Sequence, residues 1–407
     1  MECGYSTNQV MLKLANISNL VTYQTKSNSI ETFSDVDLLI NGEFIEEIGI
    51  SLDDSQQTID CSGRLVTPGF VDCHTHSVFY NGREEEYSKR LSGISYQDIA
   101  QDGGGINASI QGVRKASENE LLDKVSKRMK RFIKLGTTTV ESKSGYGLDT
   151  ESELKSLRVL DKLNQYLPID IVPTFLGAHA FPPEYSDNHN GYVELLCNEM
   201  IPEVGKQGIA KYCDVFCENG YFTVNQSKQI LETAKDYGMI PRIHADEFKD
   251  SGAAKLAGEI GAISADHLMA VSDSGIQSLS SEGVTATLLP GTTFFLGSNS
   301  YAPARKLLDA GISIALATDF NPGSCHIQSM PFIISLACLN LKLNLEEAFQ
   351  AATWESAKTL NVHNEVGSLE VGKKADIVIW DLERLIEIPY FISDIPIYKV
   401  IKSGSCI

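Results

Sequence analysis

Eight apolar runs, separated by stretches of helical periodicity, constrain the fold of this chain more than any other feature. They lie at 69–76, 137–147, 169–180, 213–220, 240–248, 262–268, 284–291 and 312–323. A short run that is apolar on successive residues, not on alternate ones, reads as a strand buried on both faces, the condition of a parallel sheet covered by helices. Eight such units over roughly 300 residues close into a (β/α)8 barrel, an α/β fold. A doubly wound open sheet is disfavoured, because no G-x-G-x-x-G follows the first run. Two intervening helices carry explicit start and stop signals. Ser117 and Glu120 form a capping box ahead of an apolar stripe of Leu121, Val125, Met129 and Phe132 that stops at Gly136. Thr223 and Gln226 repeat the pattern before Ile230, Leu231 and Ala234, with Gly238 as the stop.

The two ends have a different texture. "VDLLI" and "EFIEEIG" flank an Asn41-Gly42 turn, and "GSLEVGKKADIVIWDLE" and "IYKVIKSGSCI" resume the short-strand style near the C-terminus. The expected organisation is a barrel at 67–364 beside one small β-sandwich domain formed jointly by residues 1–66 and 365–407.

Nearly every run ends in a polar side chain: His74 and His76, Glu141 and Tyr146, His179, Glu218, His244 and Glu247, His267, and Asp319. In a barrel those ends meet on the one face that carries catalysis. His74 and His76 share a face of an extended segment and can grip one ion. With a third imidazole from a later run and Asp319 they make three nitrogens and one carboxylate, a set that suits zinc or iron and leaves room for a water. Each of His179, His244 and His267 has a blander alternative as a satisfied core histidine, and Asp319 as a helix N-cap ahead of "NPGS". His189 and His363 fall in loop-like or helix-end sequence and have no assigned role. Arg83, seven residues past His76, is the local counter-charge for an anionic ligand.

Composition narrows the partners. A formal net charge of -19 disfavours nucleic acid and anionic membrane, both of which present phosphate, and leaves a small-molecule substrate. Nine scattered cysteines read as reduced thiols of a cytoplasmic protein. No apolar run reaches the length of a membrane span. "DGGGI" lacks a following G-K-[ST] and reads as a flexible loop, and no G-x-S-x-G elbow marks a serine hydrolase. Amphipathic helices outside a barrel often pair, so a homodimer is expected.

"PGFVDCHTH", a later strand-end histidine, "ADHL", "LATDFNPGS" and "GSLEVGKKADIVIWD" together resemble the amidohydrolase superfamily. A narrower set, "NGREEEYSKRL", "GGGI", "ESKSGYGLD", "TFLGAHAFPPEY", "HADEF" and "LLPGTTFFL", is similar to the branch that opens a cyclic amide in a small ring bearing a carboxylate tail. The resemblance implies that His74, His76, His244 and Asp319 hold one divalent or trivalent ion, Zn2+ or Fe3+, whose bound hydroxide attacks the ring carbonyl. It implies that Arg83, Tyr146 and His179 hold the substrate, that Asn321, Gly323 and Ser324 line the product's end, and that Glu247, His267 and Asp319 serve as acid/base groups. The fourth run ends "CENG", with no lysine in the bridging position of binuclear relatives, so one ion is expected. Two other readings compete. A deaminase of a neutral base would have no anion to pair with Arg83, and a non-enzymatic scaffold would have lost ligands, of which none is missing.

Overall fold

The computed structural model describes residues 11–53, 55–95, 98–99 and 102–407. Each of the eight apolar runs carries one strand, the fourth starting one residue ahead of its run: β1 Phe70–Asp72, β2 Thr137–Lys143, β3 Asp170–Ala178, β4 Tyr212–Cys217, β5 Ile240–Ala245, β6 Ser264–His267, β7 Thr285–Leu288 and β8 Ile314–Leu316. Every strand pairs in parallel with the next. The ladders are shorter than the runs, so most of the polar run ends project beyond the last paired residue.

The seam between β8 and β1 closes in another way, since no ladder joins these two strands among the described residues. The Asp72 carboxylate accepts hydrogen bonds from the Thr318 backbone N–H at 3.0 Å and its hydroxyl at 2.6 Å. Beyond it, the Asp319 N–H donates to the His74 carbonyl at 3.0 Å and the His76 N–H to the Phe320 carbonyl at 2.8 Å. The seam is thus built by the segments that carry His74, His76 and Asp319. Apolar side chains of several strands, among them Val71, Cys73, Val172, Ala315 and Ala317, form a buried cluster of their own.

Both capping boxes form. Ser117 and Glu120 open the helix Glu118–Lys134, and Thr223 and Gln226 open Val224–Asp236. Their apolar stripes are buried, and Gly136 and Gly238 adopt positive φ just past the ends. The terminal segments share one eight-stranded sheet: Met11–Gln24 pairs with Ser29–Asn41, while Leu65–Pro68 runs beside both Met11–Gln24 and the C-terminal strand Ile377–Trp380. The sheet curls over a core of its own that includes Leu14, Leu38, Ile45, Val66, Ile377 and Ile401. In the hairpin, Asn41 pairs with Phe44, so the turn is Gly42-Glu43, one residue later than the sequence suggested. Gly42 takes the positive φ (61°) that the first turn position needs. Gly69 separates the sheet strand Leu65–Pro68 from β1, and an added Cβ there would stand 2.3 Å from the Thr138 hydroxyl oxygen. All eight described cysteines are free, and no described helix is long and apolar enough to cross a membrane.

Candidate metal centre and substrate cavity

His74 and His76 leave the end of β1, His244 lies in β5, and Asp319 stands just past β8 at φ 53°, a left-handed conformation that aspartate tolerates. All four are at most 3% exposed. The Nε2 atoms of His74 and His76 are 3.2 Å apart, and those of His244 and His76 3.3 Å. Asp319 Oδ1 lies 3.3 Å from His76 Nε2 and 3.6 Å from His74 Nε2.

The outer ring nitrogens decide what this cluster can do. His74 Nδ1 lies 2.6 Å from Asp266 Oδ2, and His244 Nδ1 3.1 Å from Asp214 Oδ1. A carboxylate only accepts, so both rings carry their proton on Nδ1 and present bare lone pairs at Nε2. Burial holds the His74 and His76 rings well below their ordinary pKa, so they are neutral. Two fixed acceptor nitrogens, a third imidazole and a carboxylate oxygen therefore crowd one point with too few protons to satisfy them. A cation completes such a set, and the donors suit a transition metal. The other Asp319 oxygen accepts from the Thr292 hydroxyl at 2.5 Å, so this carboxylate does not serve as a helix cap.

His267 belongs to the same cluster but faces differently. It comes within ligand reach of His74 and His244, while its Nδ1 lies 3.8 Å from Glu247 Oε1. Burial lowers the His267 ring to about 3, so it too is neutral. Burial first, then the charges of Asp319 and Glu218, push the Glu247 carboxyl well above the usual carboxylate range. Glu218 itself accepts the Phe248 N–H at 2.8 Å and so anchors the loop that carries Glu247.

Arg83, Tyr146, His179, Glu247, His267, Asn321 and Ser324 all line one cavity, which also reaches His76, His244 and Asp319. Its free space is about 30 Å³. The loop bearing Tyr146 is pinned by Glu153, whose carboxylate accepts the N–H groups of Gly145, Gly147 and Leu148 at 2.8 to 2.9 Å. His179 donates Nδ1–H to the Gly145 carbonyl at 2.8 Å, which leaves its Nε2 as an acceptor for a ligand. Besides lining this cavity, Asn321 is engaged within its own loop. Its Oδ1 accepts the N–H groups of Gly323 and Ser324 at 2.8 and 2.7 Å, and its Nδ2 donates to the Asp319 carbonyl at 2.8 Å. In this arrangement it shapes the loop behind Asp319. Gly323 lies outside the cavity lining, directly against Arg83: a Cβ there would stand 1.6 Å from Nη2. Gly323→Ala is therefore expected to displace the guanidinium and raise KM while leaving the metal content unchanged, as steady-state kinetics with metal analysis would read.

Several residues that build the site were not singled out in the sequence: Asp214, Asp266, Glu153, Lys143, Arg242 and Thr292. The available signal for the first two was a lone carboxylate inside an otherwise apolar run, in "CDVFC" and "SADH". A strand buried on both faces has no solvent for such a charge, so it must have a partner across the barrel.

The chain belongs to the amidohydrolase family, whose model matches residues 65–407. Among solved structures it is similar to a triazine hydrolase variant (TM-score 0.74, 17% identity, 97% of this chain and 94% of that one). It is equally similar to a zinc-bound adenosine deaminase from Xanthomonas campestris (TM-score 0.74, 16% identity, 98% and 92%). At such identities the likeness is one of fold. Relatives at higher identity place it more narrowly. The imidazolonepropionase of Alkaliphilus metalliredigens is 44% identical over 366 residues, 90% of this chain and 87% of that protein. The imidazolonepropionase of Geobacillus kaustophilus is 47% identical over 351 residues, 86% and 82%. Within the family the chain stands among the imidazolonepropionases.

Proposed function

We propose that this chain hydrolyses the cyclic amide of 4-imidazolone-5-propanoate to N-formimino-L-glutamate, in histidine degradation, with one Zn2+ or Fe3+ ion held by His74, His76, His244 and Asp319. The supporting observation is that one buried cavity joins an acceptor-rich cluster of imidazoles and carboxylate, a buried arginine and a carboxyl group whose pKa burial raises. The reading extends to a cytoplasmic homodimer, in keeping with free thiols and amphipathic helices around the barrel.

When bound, the ion supplies Lewis acidity towards the ring carbonyl and lowers the pKa of a water. The chain's own residues do the rest. Arg83 and Tyr146 hold the propanoate tail, and His179 Nε2 faces the ring. Asp319 accepts the proton lost as the water oxygen joins the carbonyl carbon. Glu247 gives its proton to the ring nitrogen as the C–N bond breaks, and the proton on Asp319 then restores it. His267, neutral and beside Glu247, orients the polar groups at the carbonyl.

Glu247→Gln tests the proton transfer. An acid with a raised pKa works while protonated, so wild-type kcat falls as pH rises through that pKa, and the variant lacks this limb. Its kcat is expected to drop on the order of 10²- to 10⁴-fold with the metal retained. Full activity across pH in the variant returns the role to Asp319 or His267.

A further inference from the structure

Beneath the histidines lies a layer of five ionisable side chains that the proposed steps do not use. Glu141, Lys143, Asp214, Arg242 and Asp266 are each 0% exposed. Charges so deeply buried persist only when paired, and these are paired in a particular order. Lys143 Nζ lies 2.8 Å from Glu141 Oε1 and 3.0 Å from Asp214 Oδ2. The other Glu141 oxygen accepts the Thr75 N–H at 3.0 Å, and the Glu141 carbonyl accepts the Thr75 hydroxyl at 2.7 Å. Lys143 closes the grip with its own backbone N–H, which donates to the Thr75 carbonyl at 2.9 Å. Thr75 is the residue between His74 and His76. On the far side, Asp214 Oδ1 takes both the Nδ1 proton and the backbone N–H of His244, at 3.1 and 3.2 Å.

An unbroken line of contacts therefore runs from Thr75 through Glu141, Lys143 and Asp214 to His244. Lys143 is on β2 and Asp214 on β4, and β3 lies between these strands in the sheet, so the lysine side chain spans the barrel interior. Arg242 makes a separate link: its Nη2 donates to the Cys73 carbonyl at 2.9 Å and lies 3.3 Å from the Asp266 oxygen that holds His74.

We propose that Lys143 is a positioning residue that couples the His74-Thr75-His76 arm of the metal centre to His244, by bridging Glu141 and Asp214. The inference rests on the reading that these histidines hold a metal ion. Lys143 acts through Asp214: it fixes the carboxylate where His244 Nδ1 must donate, and so aims His244 Nε2 at the point where the nitrogens of His74 and His76 converge. A lysine that merely balances buried charge would affect folding, with no particular effect on the metal.

The test is Zn2+ affinity by chelator competition on the full chain, for wild type, Lys143→Met, Asp214→Asn and the double variant. Lys143→Met keeps an unbranched side chain one atom shorter and removes its charge and donors. The expected result is affinity weakened roughly 10- to 100-fold in Lys143→Met, a changed d–d spectrum of bound Co2+, and a double variant no weaker than Asp214→Asn alone. Wild-type affinity with an unchanged Co2+ spectrum in Lys143→Met, or losses that add in the double variant, would overturn the proposal. If Lys143→Met does not fold, Lys143→Gln, which keeps one amide donor in the same space, is read by the same criteria. Wild-type protein that binds no Zn2+ would instead remove the metal reading itself.

Discussion

His244→Ala is expected to lose the bound metal and to lower kcat/KM on the order of 10³-fold or more, since a metal at such a site supplies several kcal/mol of transition-state stabilisation and each ~1.4 kcal/mol is tenfold in rate. The size of the effect follows from the geometry. His244 Nε2 meets His76 Nε2 at 3.3 Å, while its ring is oriented by Asp214 from behind. Alanine removes one nitrogen from the set and also leaves the Asp214 carboxylate, which is 0% exposed, without the proton it receives from the ring. The remaining histidines and Asp319 then lack the donor that closes the site from β5. Metal analysis of purified protein and steady-state kinetics check this together. Retained metal with retained turnover would remove His244 from the ligand set and move the third nitrogen to His267 or His179.

The second large effect belongs to Arg83. The residue is 7% exposed, its guanidinium lies against Gly323, and it lines the same cavity as the histidines. Charge-assisted hydrogen bonds to a carboxylate contribute ~1.5–3 kcal/mol, so Arg83→Met should lower kcat/KM roughly 10- to 100-fold. The loss should fall mainly on KM, with a share on kcat if the tail contact also orients the ring. Arg83→Lys should not restore it, because an ammonium cannot reproduce a planar fork. The metal content should stay that of wild type. Unchanged kinetics would detach the arginine from the substrate and reopen the deaminase reading, since a neutral base offers no anion to it.

The barrel was legible because its signals are local. Apolar runs on successive residues mark doubly buried strands, and the capping boxes at Ser117 and Thr223 lie within one helical turn, so neither requires knowledge of the tertiary structure. The convergence of strand ends followed from the fold class alone. Three things escaped for physical reasons. The third imidazole could not be chosen from the strand ends by themselves, and His244 came from the family resemblance, because His179, His244 and His267 all stand at strand ends and differ in the direction of each ring: His179 turns Nδ1 to Gly145, and His267 turns its own towards Glu247. The partnerships of Lys143 with Asp214 and of Arg242 with Asp266 depend on which side chains face each other across the barrel interior, which is a matter of strand register. The roles of Asn321 and Gly323 turn on a loop conformation in which one side chain holds backbone N–H groups and the other position must lack a side chain so that Arg83 can approach.

Metal-dependent opening of an imidazolone ring is tested most directly in a coupled assay, in which urocanase generates the unstable ring in the cuvette and its disappearance is followed with replete, chelator-stripped and reconstituted protein. About one ion per chain, activity lost on stripping and activity regained with Zn2+ or iron are the expected results. Stripped protein that consumes the ring at the replete rate, or a stoichiometry of two, would contradict the mononuclear site.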